Sequence, residues 1–318
     1  MIGKRGESIR GTRLLILTIV PAWTCLALVA CSPSTPEHGD GLVPVNGTRL
    51  FVHREGSGEP AIVIHGGPVL DHSYLQPSLA PLGDELELVF YDQRLSGRSD
   101  GVVDSASVRL DTYVDDIEAL REALGLGRVH LIAHSWGGLL AMKYATAHPG
   151  QLRSLMLLDP MAPTAALWQE EERALAATLL PADTAGAGAL RATEDFAAGE
   201  PAALEAVLRL SFRSQFRDRS LSDGLAFHIE EEYLERSRQF GHMMGDLTTF
   251  DLMAALGEVA VPTLILYGQD ELGASIGGDA IAEAIPGAQR VTIPAAGHFP
   301  FVEQPEAFLE AVRAFLAR

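Results

Sequence analysis

The segment VHLIAHSWGG, residues 129–138, constrains the fold of this chain more than any other stretch. A short apolar run typical of a buried strand leads to Ser135, and a helix-compatible stretch, residues 139–147, follows. This layout predicts a strand–serine–helix elbow, in which the serine adopts a positive φ and its hydroxyl projects from the end of a sheet. Small neighbours, here Ala133 and Gly137, suit such a turn because bulkier side chains would clash there.

Short apolar runs recur along the chain and alternate with helical stretches, which predicts a mostly parallel, doubly wound α/β sheet. The runs lie at residues 48–54, 62–64, 86–91, 129–133, 155–158, 263–267 and 290–293. Residues 162–256 break this alternation, because they are rich in Ala, Glu and Arg and have a helical period. We therefore expect this region to be an inserted helical segment.

The first 30 residues have the pattern of an export signal, with four basic residues before a mostly apolar stretch. This stretch ends in Leu-Val-Ala-Cys, which resembles a bacterial lipobox, and a lipobox implies acylation of Cys31. Residues 31–46 would then be a lipidated cysteine and a flexible tether. A plain signal peptide and an uncleaved anchor are the alternative interpretations.

The predicted location is the cell envelope, as an exported, membrane-anchored lipoprotein. In Gram-negative cells, an Asp directly after the lipidated cysteine commonly retains a lipoprotein in the inner membrane. Ser32 is at that position here, so this sorting rule predicts the outer membrane. The chain has two cysteines. Lipidation would occupy Cys31 and cleavage would remove Cys25, which excludes a disulfide and a cysteine nucleophile in the mature protein.

The net charge and the absence of certain motifs exclude several classes of partner and cofactor. The net charge of −18 argues against nucleic acid and against basic attachment to an anionic membrane, so the N-terminal lipid is the expected membrane contact. The sequence has no HExxH motif and no paired Cys or His set, and Gly125-Leu126-Gly127 precedes a strand, the wrong context for a dinucleotide loop. A reaction without metal or cofactor is predicted.

Three strings carry a family resemblance. They read HGGPV, DQRLSGRS and AHSWGG, and begin at residues 65, 92 and 133. They resemble HGGPG, DQRGSGRS and GGSWGG of the proline iminopeptidase branch of the α/β-hydrolase superfamily. The resemblance covers about residues 47–318, with Val69 and Leu95 each standing where the family has glycine.

The resemblance implies an α/β-hydrolase fold. Its core would consist of residues 47–161 and 257–318, and residues 162–256 would be a helical cap inserted after the sixth strand. The cap would cover the active site and set the substrate size.

Three residues follow one another in the α/β-hydrolase order of nucleophile, acid and base. Ser135 is the predicted nucleophile, and it needs a base within hydrogen-bond reach. His298, which lies after the last strand run and is the only histidine beyond Asp270, is the predicted base. Asp270 is predicted to orient the imidazole, and Asp159, at the end of the 155–158 run, is the competing candidate.

The oxyanion hole is expected from two backbone N–H groups, those of Gly67 and Trp136. Residues 92–98 are interpreted as a scaffold that braces the oxyanion loop.

Substrate binding is the least constrained part of the sequence. Prolyl aminopeptidases need acidic groups in the cap for the free α-ammonium, and Glu231 and Glu232 lie in an acidic run that could supply them. The alternative is a solvated helix face, which is what a run of carboxylates usually forms. Trp168 is the only tryptophan of the predicted cap, which lacks the W-x-x-W-E string of the family.

The predicted function is that of a serine hydrolase acting through an acyl-enzyme. The leading substrate is a small peptide from which the N-terminal residue is released, as by proline iminopeptidase. A carboxylesterase or amidase acting on small acyl substrates is the alternative. An inactive surface-binding lipoprotein is the hypothesis from another class.

Overall fold

The computed structural model describes residues 38–101 and 104–318. Its eight strands form one sheet in the order β1-β2-β4-β3-β5-β6-β7-β8. They are β1 Gly39–Val45, β2 Thr48–Gly56, β3 Glu59–Ile64, β4 Leu86–Tyr91, β5 Val129–His134, β6 Leu152–Leu158, β7 Thr263–Gly268 and β8 Gln289–Ile293. The β1–β2 and β2–β4 pairs are antiparallel and the other pairs are parallel, which confirms the predicted mostly parallel sheet.

Helices cover both faces of this sheet. The α-helices are α1 Gln76–Leu79, α2 Leu110–Ala123, α3 Trp136–Ala147, α4 Ala165–Thr178, α5 Pro181–Arg191, α6 Glu194–Ala198, α7 Pro201–Phe212, α8 Tyr233–Phe240, α9 Met244–Leu247, α10 Met253–Leu256, α11 Asp279–Ala284, α12 Pro300–Glu303 and α13 Pro305–Leu316, with a π-helix at Ala274–Gly278. Ile62 and Ile64 of β3 belong to a buried cluster with residues of α2 and α3. Ala61 and Val63 belong to a second cluster, with residues of α13. Both faces are therefore buried, which is why the strand is apolar from Ala61 to Ile64.

The N-terminal end of the described chain differs from the predicted tether. Gly39–Val45 form β1, paired in register with β2. The strands are joined by Asn46 and Gly47, with φ of 38° and 78°, and Asn-Gly is a strong hairpin signal. Val43 and Val45 are buried against the sheet, so this segment is part of the folded core. The predicted leader, Cys31 and the rest of the tether up to residue 37 lie outside the described residues.

The insertion between β6 and β7 contains helices α4 to α10, within the range predicted for the cap. An isolated antiparallel bridge between Thr164 and Asp251 brings its two ends together. The cap is also tied to the core by Arg236, which is only 6% exposed and donates a hydrogen bond to the carbonyl oxygen of Gly97 (2.5 Å).

In the part of the chain that the structure describes, no helix combines the length and the apolar character needed to cross a bilayer.

Candidate active site

The elbow at Ser135 connects β5 to α3. Ser135 has φ 55° and ψ −121°, which confirms the predicted positive φ. Its backbone N donates to the carbonyl oxygen of Leu158 (3.0 Å), and its carbonyl oxygen accepts from the backbone N of Met161 (3.0 Å). A Cβ placed on Gly137 would lie 2.5 Å from the carbonyl oxygen of Ile64, so the turn requires glycine there. The half-buried serine is thereby fixed at the carboxyl end of the sheet.

His298 lies in the loop between β8 and α12 and faces the same cavity as Ser135, with a volume of about 480 Å³. Its Nδ1–H donates to Oε2 of Glu271 (3.0 Å). Its backbone N donates to the carbonyl oxygen of Gln215 in the cap (2.9 Å), and its own carbonyl oxygen accepts from Nε2 of His134 (3.0 Å). Core and cap therefore fix the loop together, and Nδ1 is the ring nitrogen held by a carboxylate.

Asp270, the predicted orienter, does not occupy that position. Its Oδ2 accepts from Arg217 (2.5 Å), and its side chain is 41% exposed. The turn after β7 explains this: the backbone N of Asp270 donates to the carbonyl oxygen of Ala296 (2.8 Å), and the next residue, Glu271, turns inward. The sequence has two adjacent carboxylates here, and the turn conformation decides which of them faces the histidine.

The environment of Glu271 favours its ionised form. Burial raises the pKa of Glu271, but the charge of His298, the hydrogen bond from His298 and backbone hydrogen bonds from Gly273 and Leu272 outweigh burial, so the pKa lies below its ordinary value. The backbone N of Gly273 donates to Oε1 at 2.9 Å. An ionised carboxylate fixed in this way can hold the imidazole in one tautomer and stabilise the imidazolium.

Asp159, the competing candidate, lies close to Glu271 and His298. One of its carboxylate oxygens, a carboxylate oxygen of Glu271 and a ring nitrogen of His298 lie within 4.8 Å of one another. Its Oδ1 accepts from the backbone N of Gly268 (2.9 Å). Burial and then the negative charge of Glu271 raise the pKa of Asp159 well above its ordinary value. The structure thus brings two carboxyl groups to the histidine, and Glu271 is the one hydrogen-bonded to it.

The predicted oxyanion donors, Gly67 and Trp136, both line the cavity. Gly67 has φ 46°, and Trp136 is the first residue of α3, where a backbone N–H has no intrahelical acceptor. The backbone N–H of the preceding residue, Gly66, donates to the Tyr74 hydroxyl (2.6 Å) and so does not point to an oxyanion. The indole N–H of Trp136 donates to Oε1 of Gln93 (2.9 Å), so the DQRLSGRS segment contacts the serine elbow directly.

The backbone is left-handed at the two positions where this chain has another residue in place of the family's glycine. Val69 has φ 68° and Leu95 has φ 64°, at the positions where the family has glycine. Non-glycine residues in this region are strained by about 1–3 kcal/mol each. Both side chains are buried among apolar residues of one core cluster, and this burial offsets the strain.

Of the predicted substrate-binding residues, Trp168 lines the cavity, whereas Glu231 and Glu232 do not. Both glutamates are exposed, and Glu232 forms an ion pair with Arg236 (2.7 Å). The two glutamates are therefore solvated, as the alternative interpretation expected, but they lie in the turn before α8 and not on a helix face. The carboxylates of the cap that line the cavity are Glu171 and Glu172, which sequence reasoning missed. Their spacing of three and four residues from Trp168 on one helix is the signal that places them on the same face.

Glu171 is a half-buried carboxyl whose pKa is influenced by the charge of Glu271. Its Oε2 accepts from the backbone N of Ala162 (3.1 Å). Burial, with a smaller contribution from the charge of Glu271, raises the pKa of Glu171 to about 8. In the folded protein Glu171 therefore holds its proton across most of the physiological range.

This shift predicts a pH-dependent stability for the Glu171→Gln variant. Between the ordinary value of 4.5 and about 8, the folded state retains a proton that the unfolded state has released, so the free energy of unfolding falls as pH rises. The variant has no such proton, and we expect its stability relative to wild type to increase from pH 5 to pH 8. Urea unfolding at one-unit pH steps measures this difference. Glu170→Gln, at an exposed position of the same helix, is the control, and a Glu171→Gln difference independent of pH would contradict the shift.

Gly268, the last residue of β7, packs against the loop that contains His298. A Cβ on Gly268 would lie 2.0 Å from the carbonyl oxygen of Gly297 and 2.5 Å from that of Ala296. We expect Gly268→Ala to lower the free energy of unfolding by about 1–3 kcal/mol, because backbone must move to make room. Gly127→Ala is the matched control, since no atom lies within 4 Å of its Cβ position. Equal urea midpoints for the two variants would show that the loop accommodates the methyl group freely.

Two groups among the described residues have ligand-type atoms within 4.8 Å of one another, Asp71/His72/Asp92 and Asp159/Glu271/His298. In each, a histidine Nδ1–H already donates to a carboxylate, at 2.6 Å for His72 and 3.0 Å for His298. The donor set is thus engaged in hydrogen bonds, and the metal-free reaction stays a prediction.

Comparison with known proteins decides the family, because the family model of the alpha/beta hydrolase fold matches residues 60–305. The chain belongs to the α/β-hydrolase fold family. It is 28% identical over 287 residues to a proline iminopeptidase of Heyndrickxia coagulans, covering 87% of this chain and 98% of that protein. A proline iminopeptidase of Levilactobacillus brevis is 28% identical over 273 residues, with 81% and 88% covered.

Solved structures agree with this assignment. The crystal structure of the Mycobacterium smegmatis proline iminopeptidase has a TM-score of 0.66 at 26% identity, covering 88% of this α/β hydrolase and 98% of that chain. The chain is therefore a hydrolase similar to proline iminopeptidases.

Proposed function

We propose that this α/β hydrolase releases N-terminal residues from small peptides through an acyl-enzyme on Ser135. The observation that carries the proposal is the Glu271–His298 hydrogen bond of 3.0 Å at a cavity shared with Ser135. The similarity to proline iminopeptidases supplies the substrate class.

The proposed reaction follows from the roles of these groups. Glu271 holds Nδ1–H, which leaves Nε2 of His298 to take the proton as Oγ of Ser135 bonds to the substrate carbonyl carbon. The N–H groups of Gly67 and Trp136 stabilise the oxyanion. His298 then gives that proton to the leaving amine as the C–N bond breaks. Water, deprotonated by the same imidazole, hydrolyses the ester and regenerates Ser135.

We assign recognition of the substrate's free α-ammonium to Glu171 and Glu172. Both line the cavity from α4. The charge of Glu172 raises the pKa of Glu171 as one of several contributions after burial. An ammonium group placed between them would remove this repulsion and favour ionised Glu171. Binding of the amine is therefore expected to release a proton.

A substrate pair tests this function. L-Proline 4-nitroanilide has the free amine, and N-acetyl-L-proline 4-nitroanilide lacks it while keeping the scissile amide. We expect turnover of the first, and a KM about 10-fold or more higher in Glu172→Gln, from loss of a charge-assisted contact. Glu231→Gln, outside the cavity, is the matched control with unchanged KM. Equal turnover of both amides, or a preference for short esters, would instead support the esterase or amidase alternative.

We also propose that the enzyme is an exported lipoprotein of the cell envelope, anchored through acylated Cys31. The support is the sequence pattern of residues 1–31, a basic start followed by an apolar stretch that ends in Ala-Cys. More than one acyl chain is needed for stable anchoring, and a lipidated N-terminal cysteine can carry them. Labelling of the full chain with an alkyne fatty acid, with Cys31→Ser as control, tests this. Incorporation that persists in Cys31→Ser would contradict it.

A further inference from the structure

Asp159 is a buried carboxyl that the proposed acyl-transfer steps do not use. It follows β6 with φ 42°, in the left-handed region that non-glycine residues seldom adopt, and it is 1% exposed. Its Oδ2 is buried without a hydrogen-bond partner among the described residues. An unsatisfied buried oxygen costs about 1–3 kcal/mol, so this atom requires an explanation.

The surroundings of Asp159 favour its protonated form over its ionised form. Glu271 and His298 lie within 4.8 Å of it, and the charge of Glu303 and the phenol of Tyr267 also interact with it. Burial and the Glu271 charge raise the pKa of Asp159, whereas the pKa of Glu271 is lowered. Of the two neighbouring carboxyl groups, Asp159 is therefore the one that binds a proton more readily, and Glu271 is the one that favours the ionised form.

We propose that Asp159 is a positioning residue of the triad, whose protonated Oδ2 donates a hydrogen bond to the Glu271 carboxylate while its Oδ1 holds the backbone N of Gly268. The two carboxylate oxygens of Glu271 together have four acceptor sites, and the backbone N–H groups of Gly273 and Leu272 and Nδ1–H of His298 use three of them. A further donor is therefore accommodated. The bond couples the turn after β7 to the orientation of Glu271 against His298, and it gives the unpaired Oδ2 a partner.

The inference rests on the proposed function, and it differs from the interpretation in which Asp159 is the ionised acid of the triad. Two ionised carboxylates within 4.8 Å in a buried site would repel each other strongly. A neutral Asp159 avoids this repulsion and still orients its neighbour.

Four variants of the full-length protein test the inference: Asp159→Asn, Asp159→Ala, Glu271→Gln and Ser135→Ala. L-Proline 4-nitroanilide hydrolysis is followed from pH 5 to pH 9. Asparagine keeps an acceptor for Gly268 and a donor for Glu271, so we expect Asp159→Asn to retain kcat within about threefold. In the pH profile of kcat/KM, the midpoint of the acid limb should be the same as in wild type, because replacing a protonated Asp159 by asparagine removes no charge. Asp159→Ala should lower kcat about 10- to 100-fold with little change in KM, because Glu271 loses a positioning contact.

Other results would overturn the inference. A decrease in kcat of about four decades in Asp159→Asn would identify Asp159 as the ionised acid of the triad. A shift of the acid limb of its kcat/KM profile to lower pH would lead to the same conclusion. Wild-type kcat in Asp159→Ala would leave Asp159 a structural role alone. If Asp159→Ala does not fold, the inference is tested by the kcat of Asp159→Asn and by the acid limb of its kcat/KM profile.

Full activity of Ser135→Ala would overturn the proposed function itself. If Ser135→Ala and Glu271→Gln are inactive, the proposed function stands and the Asp159 variants test the positioning role by itself.

Discussion

Glu271→Gln is expected to lower kcat by about four decades while leaving KM nearly unchanged. An amide in place of the carboxylate that accepts from Nδ1 of His298 presents an N–H to the ring, favours the wrong tautomer and no longer stabilises the imidazolium. Steady-state kinetics on L-proline 4-nitroanilide measures the loss, and circular dichroism checks that the fold is intact.

Asp270→Asn is the matched control for this variant, because it makes the same change one residue earlier. Asp270 contacts Arg217 at the surface of the cavity rather than the histidine, so kcat should remain close to that of wild type. A reversed result, with Asp270→Asn inactive and Glu271→Gln active, would restore the assignment predicted from the sequence.

Ser135→Ala is expected to lower kcat by about 10⁶, and His298→Ala by a similar factor. Serine and histidine act as one unit, so the double variant should be no slower than either single variant. Activity remaining above the uncatalysed rate would come from the oxyanion donors and substrate binding. Additive losses in the double variant would show that the two residues act independently, contrary to the proposed mechanism.

The sequence predicted those features that depend on local patterns. The elbow at Ser135 was predictable because a strand, a serine and small residues follow one another, and the backbone has the expected φ of 55°. The parallel strands were predictable because burial on both faces makes them continuously apolar. The strand Gly39–Val45 was missed because its composition resembles a linker, although Asn46-Gly47 marks a hairpin.

Features that depend on turn geometry and packing were less accessible. Adjacent carboxylates at 270 and 271 are equivalent in composition, and hydrogen bonds within the turn direct only Glu271 inward. The acidic run at 230–235 stands out in the sequence but lies outside the cavity, whereas Glu171 and Glu172 lie inside. Local charge density therefore located the wrong face of the cap, and helical spacing from Trp168 locates the right one.

The most direct test of the proposed triad is covalent labelling of the native protein with a fluorophosphonate, followed by peptide mapping. We expect modification of Ser135 alone, at a rate greatly reduced in both His298→Ala and Glu271→Gln and unchanged in Asp270→Asn. Failure to label Ser135 in folded protein, or labelling that does not depend on His298 and Glu271, would contradict the proposed catalytic triad.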